Sequence, residues 1–410
     1  MSRLKIVTAA LGAVALAAFV ACADSQTEAR PLPADDQGEG GTLPPPEQEA
    51  GARDDAGDAA VDTDAGIPEC SKEGFCHTVV PNDQKLLGVW SDGAGVTWAV
   101  SEQGAVLRYD GKAWTVHATL EGALRSVWGS SPTDVWVGGD TGIFHGTGTS
   151  SADVAFTPVS LPGDFTPIHS IWGTGADDVW ATGSNDFPTY SRVLHYAPMP
   201  PGKGDPVDAG PTLDWSLETV TDSEVLLTRV FGSKSSGVWV AGDWWGSGEG
   251  RSPIILRRAA GADEWLPETI PRKPGDPFST GRFKQLFDAK ASTDGQSMWM
   301  VGLMEGNAPA YAYATSSDGG KTFVWTWGYA GEQKDPYLYA IAATGTDGIF
   351  IAGDYARLRV WNGVTWKQAV ISVTKYPLIA PFYAIGGTAD DLWFVGDGVA
   401  LHRVPSKIQP

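Results

Sequence analysis

Cysteine and histidine are scarce in this sequence, which has three cysteines and six histidines in 410 residues. The histidines do not group into a metal-site spacing, and no Ser-His-Asp, His-Glu-x-x-His or phosphate-loop pattern occurs. The sequence therefore predicts no metal site, no cofactor and none of these catalytic motifs. Carboxylate pairs for glycoside hydrolysis stay open at this stage, because they converge from separate parts of a chain.

The sequence also lacks a long apolar run at its N-terminus. Residues 6–21 are uncharged and mostly apolar, which is short of the ~20 residues that a membrane span needs. They follow Arg3 and Lys5, so residues 1–21 have the pattern of a secretory signal. The end of this segment, Phe-Val-Ala-Cys at 19–22, resembles a bacterial lipobox, in which the cysteine becomes the lipidated first residue. We expect Cys22 to be lipidated; the alternative is an ordinary cleaved signal with an incidental cysteine.

The two remaining cysteines are Cys70 and Cys76. An even pair in an oxidising compartment predicts a disulfide. The alternative is a metal site that includes His77, but one thiol pair without a second is a weak zinc signature. We favour the disulfide. With Cys22 lipidated and no simple inner-membrane signal at Ala23 and Asp24, we expect an outer-membrane lipoprotein on the periplasmic or cell-surface side.

Residues 22–69 contain no aromatic residue, and they carry thirteen acidic residues, two arginines and a Pro-Pro-Pro run. Such a segment cannot bury enough apolar surface to fold, so we predict a disordered acidic, proline-rich tether. The total charge is −20: the signal contributes +2, the tether −11 and residues 70–410 another −11. An acidic domain argues against nucleic acid and against an anionic membrane surface, so the lipid is the only membrane contact expected.

All eighteen tryptophans lie from Trp90 onward, in a unit that repeats seven times between residues 85 and 404. Each unit has an apolar inner run followed by a second run with a central aromatic residue, and the mean spacing is about 49 residues. Four antiparallel strands in each of seven units predict an all-β, seven-bladed β-propeller over residues 70–405. The central aromatic residues are Trp98, Trp136, Trp180, Trp239, Trp299, Phe350 and Trp393.

The strands of each unit follow one order. The inner run is strand one (124–128 in the second unit, 283–287 in the fifth), and the aromatic run is strand two. The third strand carries a histidine in the same place in three units: His145, His195 and His402. The last unit lacks a fourth strand, so we predict that residues 75–80 supply it and close the ring.

One segment resembles a known repeat. Its residues match the Asp-box, or BNR, pattern Ser-x-Asp-x-Gly-x-Thr-Phe, a turn between strands three and four in sialidases and related propellers, and degenerate forms begin at Asp110 and Asn362. The unit order also resembles photosystem II assembly-factor propellers and repeat lipoproteins of myxobacteria. The resemblance implies a structural role for the box. Its residues are Ser316, Asp318, Gly320, Thr322 and Phe323.

A sialidase resemblance implies an arginine triad, a tyrosine nucleophile with a glutamate partner, an acid aspartate and an early Arg-Ile/Leu-Pro motif. The nearest matches are Arg-Pro-Leu-Pro at 30–33, in the tether, and Arg-Ser-Pro at 251–253, in a mid-chain insertion. We therefore do not expect sialidase activity, because a shared fold does not transfer chemistry.

Three enlarged loops distinguish the units, at 184–192, 243–253 and 303–309. Exposed aromatic residues beside carboxylates suit sugar stacking and hydroxyl hydrogen bonds; the alternative is that the tryptophans pack as a lid. The candidate ligand-binding residues are Tyr190, Asp243, Trp244, Trp245, Glu249 and Arg251.

An aspartate also recurs after glycine at the end of strand two. Four such carboxylates could bind a cation or a basic partner, but a turn contact repeated with the blade is the simpler interpretation. These aspartates are Asp140, Asp243, Asp354 and Asp397.

The function that these features favour is a monomeric, non-catalytic envelope scaffold that binds a protein or a glycan. The alternative is a carbohydrate-active hydrolase or lyase with carboxylates on the enlarged-loop face.

Overall fold

In the computed structural model, the predicted signal and tether, residues 1–21 and 22–69, lie outside the described residues. Among the residues described, no helix is long and apolar enough to cross a bilayer. The described residues are 70–81, 84–163, 166–184, 191–200, 211–221, 225–246, 250–270, 283–344, 348–371 and 378–408.

The strands form seven antiparallel sheets of four, so the predicted seven-bladed β-propeller is confirmed. Strand β1 covers Glu73–Thr78 and belongs to the last blade. Blades 1 to 3 contain, in order, β2 (Leu86–Ser91), β3 (Thr97–Ser101), β4 (Ala105–Tyr109) and β5 (Trp114–Thr119); β6 (Leu124–Ser131), β7 (Asp134–Gly139), β8 (Gly142–Thr147) and β9 (Ala155–Pro158); β10 (Ile168–Gly175), β11 (Asp178–Ser184), β12 (Ser191–Met199) and β13 (Thr212–Glu218).

Blades 4 to 7 have the same order, with strand one innermost. They contain β14 (Val225–Ser233), β15 (Gly237–Gly246), β16 (Gly250–Arg258) and β17 (Trp265–Pro267); β18 (Phe283–Ala291), β19 (Ser297–Met304), β20 (Pro309–Thr315) and β21 (Val324–Tyr329); β22 (Leu338–Ala343), β23 (Ile349–Gly353), β24 (Leu358–Trp361) and β25 (Trp366–Gln368); β26 (Phe382–Gly387), β27 (Leu392–Gly396) and β28 (Ala400–Ile408), which β1 completes.

The core lies between neighbouring blades. The central aromatic residue of each second strand is 0–5 % exposed and shares an apolar cluster with the inner strand of the next blade. Trp98 of blade 1, for example, clusters with Leu124 and Val127 of blade 2. Trp393 of blade 7 clusters with Leu86 and Val89 of blade 1. Each blade therefore buries its apolar face only when the next blade is present.

The ring is closed by the N-terminal strand, as predicted. Thr78 lies opposite Ala400 and Phe75 opposite Arg403, so β1 is the fourth strand of blade 7. Phe75 is 1 % exposed, and its ring meets that of Phe394 edge-on with centroids 5.6 Å apart. The predicted disulfide between Cys70 and Cys76 is confirmed and lies at the start of this strand.

Three blades share a further contact between their second and third strands. In blade 3, the His195 ring stacks on Trp180 with centroids 3.6 Å apart, and its Nε2 lies 2.8 Å from Asp178, two residues before that tryptophan. Burial alone would raise the pKa of Asp178, but hydrogen bonds from His195 and its other partners lower it overall. The equivalent pairs are Asp134–His145 and Asp391–His402. These histidines therefore brace the blades.

Blade 5 departs from the prediction. Its inner strand was expected at 283–287, but it extends to Ala291 and contains two β-bulges. The apolar residue opposite the strand-two glycine Gly302 is Leu286 and not Phe283, so Lys290 and not Phe287 lies opposite Trp299.

The closing strand is tested by Phe75→Ala. Removing a ring buried to this degree should lower the free energy of unfolding by about 3–5 kcal/mol. Val79→Ala is the matched control, because Val79 follows the same strand but is 87 % exposed, and it should change stability by no more than about 0.5 kcal/mol. Chemical denaturation of both variants measures the difference. Equal stability would show that the strand does not close the ring.

Candidate functional site

The innermost strand of every blade contains a β-bulge at the same position. A bulge leaves one residue outside the ladder and redirects its side chain. Six residue types occupy these seven positions, although the residues around them repeat. We call them the bulge ring: Leu87, Arg125, His169, Thr228, Phe287, Tyr339 and Tyr383.

A glycine near the end of the second strand makes room for the bulge. A Cβ on Gly353 would lie 2.0 Å from the carbonyl oxygen of Tyr337, and one on Gly396 would lie 1.8 Å from that of Pro381. The next residue in each case donates its backbone N–H to the same oxygen, over 2.9 Å and 3.1 Å. The repeated Gly-Asp pair is therefore explained by this close backbone approach.

The side chains of the repeated aspartates make different contacts rather than one repeated turn contact. Asp140 accepts a hydrogen bond from Arg125 at 2.7 Å, and Asp354 accepts one from the Tyr339 hydroxyl at 3.1 Å. Two of the repeated carboxylates thus hold side chains of the bulge ring.

A cavity of about 400 Å³ occupies the centre of the propeller and is lined by the inner strands of all seven blades. Leu87, Arg125, His169 and Tyr383 of the bulge ring lie along it. The bulges lie near the start of each inner strand, and second and fourth strands end on the same side of the propeller. The enlarged loops, which follow second strands, therefore share one face of the molecule with the bulge ring.

The cavity opens on the bulge-ring face, and one side of this mouth is cationic. Arg229, next to the bulge of blade 4, donates to the buried Asp288 at 2.9 Å, and Asp288 also accepts the Ile341 N–H at 3.1 Å. His169 contacts the Ser184 hydroxyl at 2.7 Å. Burial and the nearby Arg125 and Arg229 guanidinium groups lower the pKa of His169 to about 4. At neutral pH His169 is therefore an uncharged hydrogen-bonding group between two cations.

The other side of the mouth is aromatic. The Tyr339 ring has its centroid 5.4 Å from that of Phe287, 6.4 Å from that of Tyr337 and 5.8 Å from that of Tyr383. Burial raises the pKa of Tyr339, and Asp354 raises it further; burial also raises that of Tyr383. Both phenols are therefore protonated at neutral pH and act as hydrogen-bond donors.

Exposed apolar side chains adjoin the aromatic side, on blades 6 and 7. Tyr355 is 69 % exposed and has a left-handed backbone with φ of 54°, which is uncommon outside glycine. Val370 is 51 % and Ile379 69 % exposed. All three lie on the bulge-ring face, in the connections that follow the second and fourth strands of blade 6. We call them the blade 6–7 patch. Backbone strain combined with exposed apolar surface is typical of binding regions.

The predicted ligand residues are placed as follows. Asp243 is fully buried rather than exposed, and it accepts the Leu286 N–H of the next blade at 3.4 Å. Trp244, Trp245 and Arg251 belong to paired strands, with Trp245 opposite Arg251, so this enlarged loop is an extended β15–β16 hairpin. Tyr190 and Glu249 lie outside the described residues.

The third enlarged loop contacts the inner strand of its own blade. It forms a short 3-10 turn over Glu305–Asn307, and the side-chain amide oxygen of Asn307 accepts a hydrogen bond from Lys284 at 3.1 Å.

The Asp-box segment forms the turn between β20 and β21. Asp318 accepts the backbone N–H groups of Lys321 at 3.0 Å and Thr322 at 2.9 Å, and the Thr322 hydroxyl at 2.7 Å. Arg257 of blade 4 donates to the carbonyl oxygens of Gly320 and Lys321. The turn thus joins two blades, on the face opposite the bulge ring.

Sequence reasoning missed the bulge ring. In most blades the available signal was the position after the first apolar residue of the inner run, where neighbouring positions repeat and this one does not. In the described part of the chain, no three His, Cys, Asp or Glu side chains are placed to hold a metal ion.

The fold resembles several solved propellers, whereas no family model and no curated protein matches the sequence. YCF48 bound to a D1 peptide is 18 % identical, with a TM-score of 0.54 over 82 % of this chain and 99 % of that one. The WD40 propeller domain of Doa1 is 14 % identical, with a TM-score of 0.51 over 82 % of this chain and 99 % of that one. The extracellular domain of the putative hybrid two-component system BT4673 from B. thetaiotaomicron is 14 % identical, with a TM-score of 0.54 over 80 % of this chain and 39 % of that one. At these identities the likeness shows the fold alone.

The electrostatics of the mouth can be tested by titrating His169. Its NMR signals, identified by their loss in His169→Gln, should shift with a midpoint near pH 4, far below the usual 6.5. Arg125→Gln removes one repelling cation and should raise that midpoint. Arg108→Gln, in the third strand of blade 1, is the control and should leave it unchanged. A midpoint near 6.5 in the unmodified protein would contradict the burial and the charge effect.

Proposed function

We propose that this protein is a non-catalytic scaffold that binds a protein partner on its bulge-ring face. The observation that carries the proposal is the bulge ring itself. Seven equivalent backbone positions lie at the same end of the inner strands, six residue types occupy them, and four of the seven residues line the cavity. Repetition explains the bulges, but it does not explain the differences, which are what a specific partner would contact.

The chemistry of this face suits a protein surface. Tyrosine and arginine are enriched at the energetic centres of protein interfaces. Here Tyr339 and Tyr383 line one side of the mouth, and Arg125 lies on the other with an exposed side chain. The blade 6–7 patch adds exposed apolar area beside them. That YCF48, a propeller of similar fold, has been solved bound to a D1 peptide supports a peptide or protein as the partner.

The carboxyl groups favour binding over hydrolysis. A glycosidase needs a carboxylic acid with a raised pKa to protonate the leaving group. Nine carboxyl groups of the described residues have lowered pKa values, because hydrogen bonds and nearby cations outweigh burial. These groups are ionised at neutral pH.

The proposal includes a lipid anchor at Cys22 and a place in the outer membrane. It is supported by the lipobox-like residues 19–22 and by the acidic composition of 22–69, which suits a tether. The partner is then a protein of the cell envelope.

The partner is tested by photo-crosslinking in cells. Benzoylphenylalanine replaces Tyr355 on the bulge-ring face or, as the matched control, Val364, which is 83 % exposed in the β24–β25 turn on the opposite face. We expect a protein adduct of discrete mass from position 355 and none from 364. Equal labelling from both positions would contradict the proposed face. Turnover of a glycan by the purified protein, abolished by a single Asp or Glu substitution, would establish the hydrolase instead.

The anchor is tested by mass spectrometry of the mature N-terminus. A diacylglyceryl-modified Cys22 should begin the chain, and Cys22→Ala should move the protein from the detergent phase to the aqueous phase in phase separation. An unmodified Cys22 peptide, or a cleavage site elsewhere, would rule out the lipid anchor.

A further inference from the structure

The channel has a second mouth, at the opposite end of the inner strands. Trp90, Trp128 and Trp172, from blades 1 to 3, lie along it and are half-buried. We call these three residues the tryptophan arc. Each lies directly opposite the buried central tryptophan of its own blade in the strand ladder, and those tryptophans are Trp98, Trp136 and Trp180. Each of them lines the cavity and also packs against the core between its own blade and the next.

The arc is held rigidly. A Cβ on Gly129 would lie 2.9 Å from the outer ring edge of Trp90, and one on Gly173 would lie 2.7 Å from that of Trp128. The benzo edge of each indole is therefore wedged against the glycine of the next blade. Rings fixed in this way lose little conformational entropy when a ligand binds.

The arc offers unused hydrogen-bond donors. The central residues Trp98 and Trp180 donate their indole N–H groups to Pro132 and Asp178. The three indole N–H groups of the arc have no partner among the described residues, and they are not fully buried. They are accordingly open to a ligand in the cavity.

The opposite wall and the rim complete the site. Lys290 of blade 5 lines the same cavity, and it has no ion-pair partner in the described part of the chain. At the equivalent ladder position the two following blades carry small residues, Ala342 and Gly386, whereas the preceding blade carries the buried Phe231. The turns between first and second strands form the rim and present the exposed carboxylates of Asp177 and Asp390.

We propose that this mouth is a binding site for an uncharged saccharide. Pyranose rings stack on aromatic faces, and each sugar hydroxyl both donates and accepts hydrogen bonds. The tryptophan arc and Lys290 supply donors, and the rim aspartates supply acceptors. The acidic rim disfavours anionic sugars, and Lys290 disfavours small cations. The site lies at the other end of the channel from the bulge ring, so it is independent of the proposed protein partner.

The experiment uses indole-15N-labelled mature protein. The signals of the arc are assigned by their loss in Trp90→Phe, Trp128→Phe and Trp172→Phe. Cellotetraose, chitotetraose and mannotetraose are titrated to millimolar concentrations, with tetragalacturonate as the anionic arm. We expect at least one neutral tetrasaccharide to shift the arc signals saturably, and tetragalacturonate to bind more weakly.

The variants separate this site from a general effect. Trp128→Phe removes one donor and Lys290→Met removes the ammonium, and each should weaken binding about fivefold, as expected for one lost hydrogen bond. Trp366→Phe, on an outer strand of blade 6, is the matched control and should not change affinity. No shift of the arc signals with any neutral tetrasaccharide would overturn the proposal. So would preferential binding of tetragalacturonate, or of tetramethylammonium without any saccharide.

Discussion

The apolar core of this protein lies between its blades, and the rest of the structure depends on that constraint. Each central aromatic residue of a second strand packs against the inner strand of the following blade, including Trp393 of the last blade against Leu86 and Val89 of the first. An open ring would leave one such face in water. The chain therefore has to complete blade 7 with β1, and Phe75 contributes a buried ring to that blade. Closure also removes an exposed strand edge.

The same packing leaves one residue per blade that is outside the strand ladder and is not required in the core. The second strand must keep a glycine where the carbonyl oxygen of the residue before the inner strand comes close to its backbone, as at Gly353 and Gly396. The bulge beside it takes one residue out of the ladder, so neither backbone pairing nor core packing selects its side chain. Arg125, His169 and Tyr339 can then differ while the blade geometry stays constant. The bulge ring is thus the place where recognition can vary without loss of the fold.

The tryptophan repeat predicted the number of blades, the order of strands and the closing segment, because central aromatic residues at regular spacing report the packing between blades directly. The channel was not predicted, because a bulge changes which residues face it without changing composition. In blade 5 the residue opposite the strand-two glycine is Leu286 rather than Phe283, so Lys290 and not Phe287 lies opposite Trp299. The contact of Asp288 with Arg229 joins residues 59 apart in the sequence, and no local pattern encodes it. Asp243 follows a glycine like the other repeated aspartates, yet its burial depends on the extended hairpin around it.

Between the two mouths the cavity is lined by residues that join the blades. The Ser126 hydroxyl accepts the Ile171 N–H at 3.0 Å, and that of Ser170 accepts the Val230 N–H at 3.2 Å. In blades 4 and 5 the Arg229–Asp288 pair takes this place. Because these side chains are already hydrogen-bonded to a neighbouring blade, they cannot change without loosening the ring. The positions of the inner strands nearer to either mouth do not have that constraint. Tyrosine and arginine can therefore occur at one mouth and tryptophan at the other.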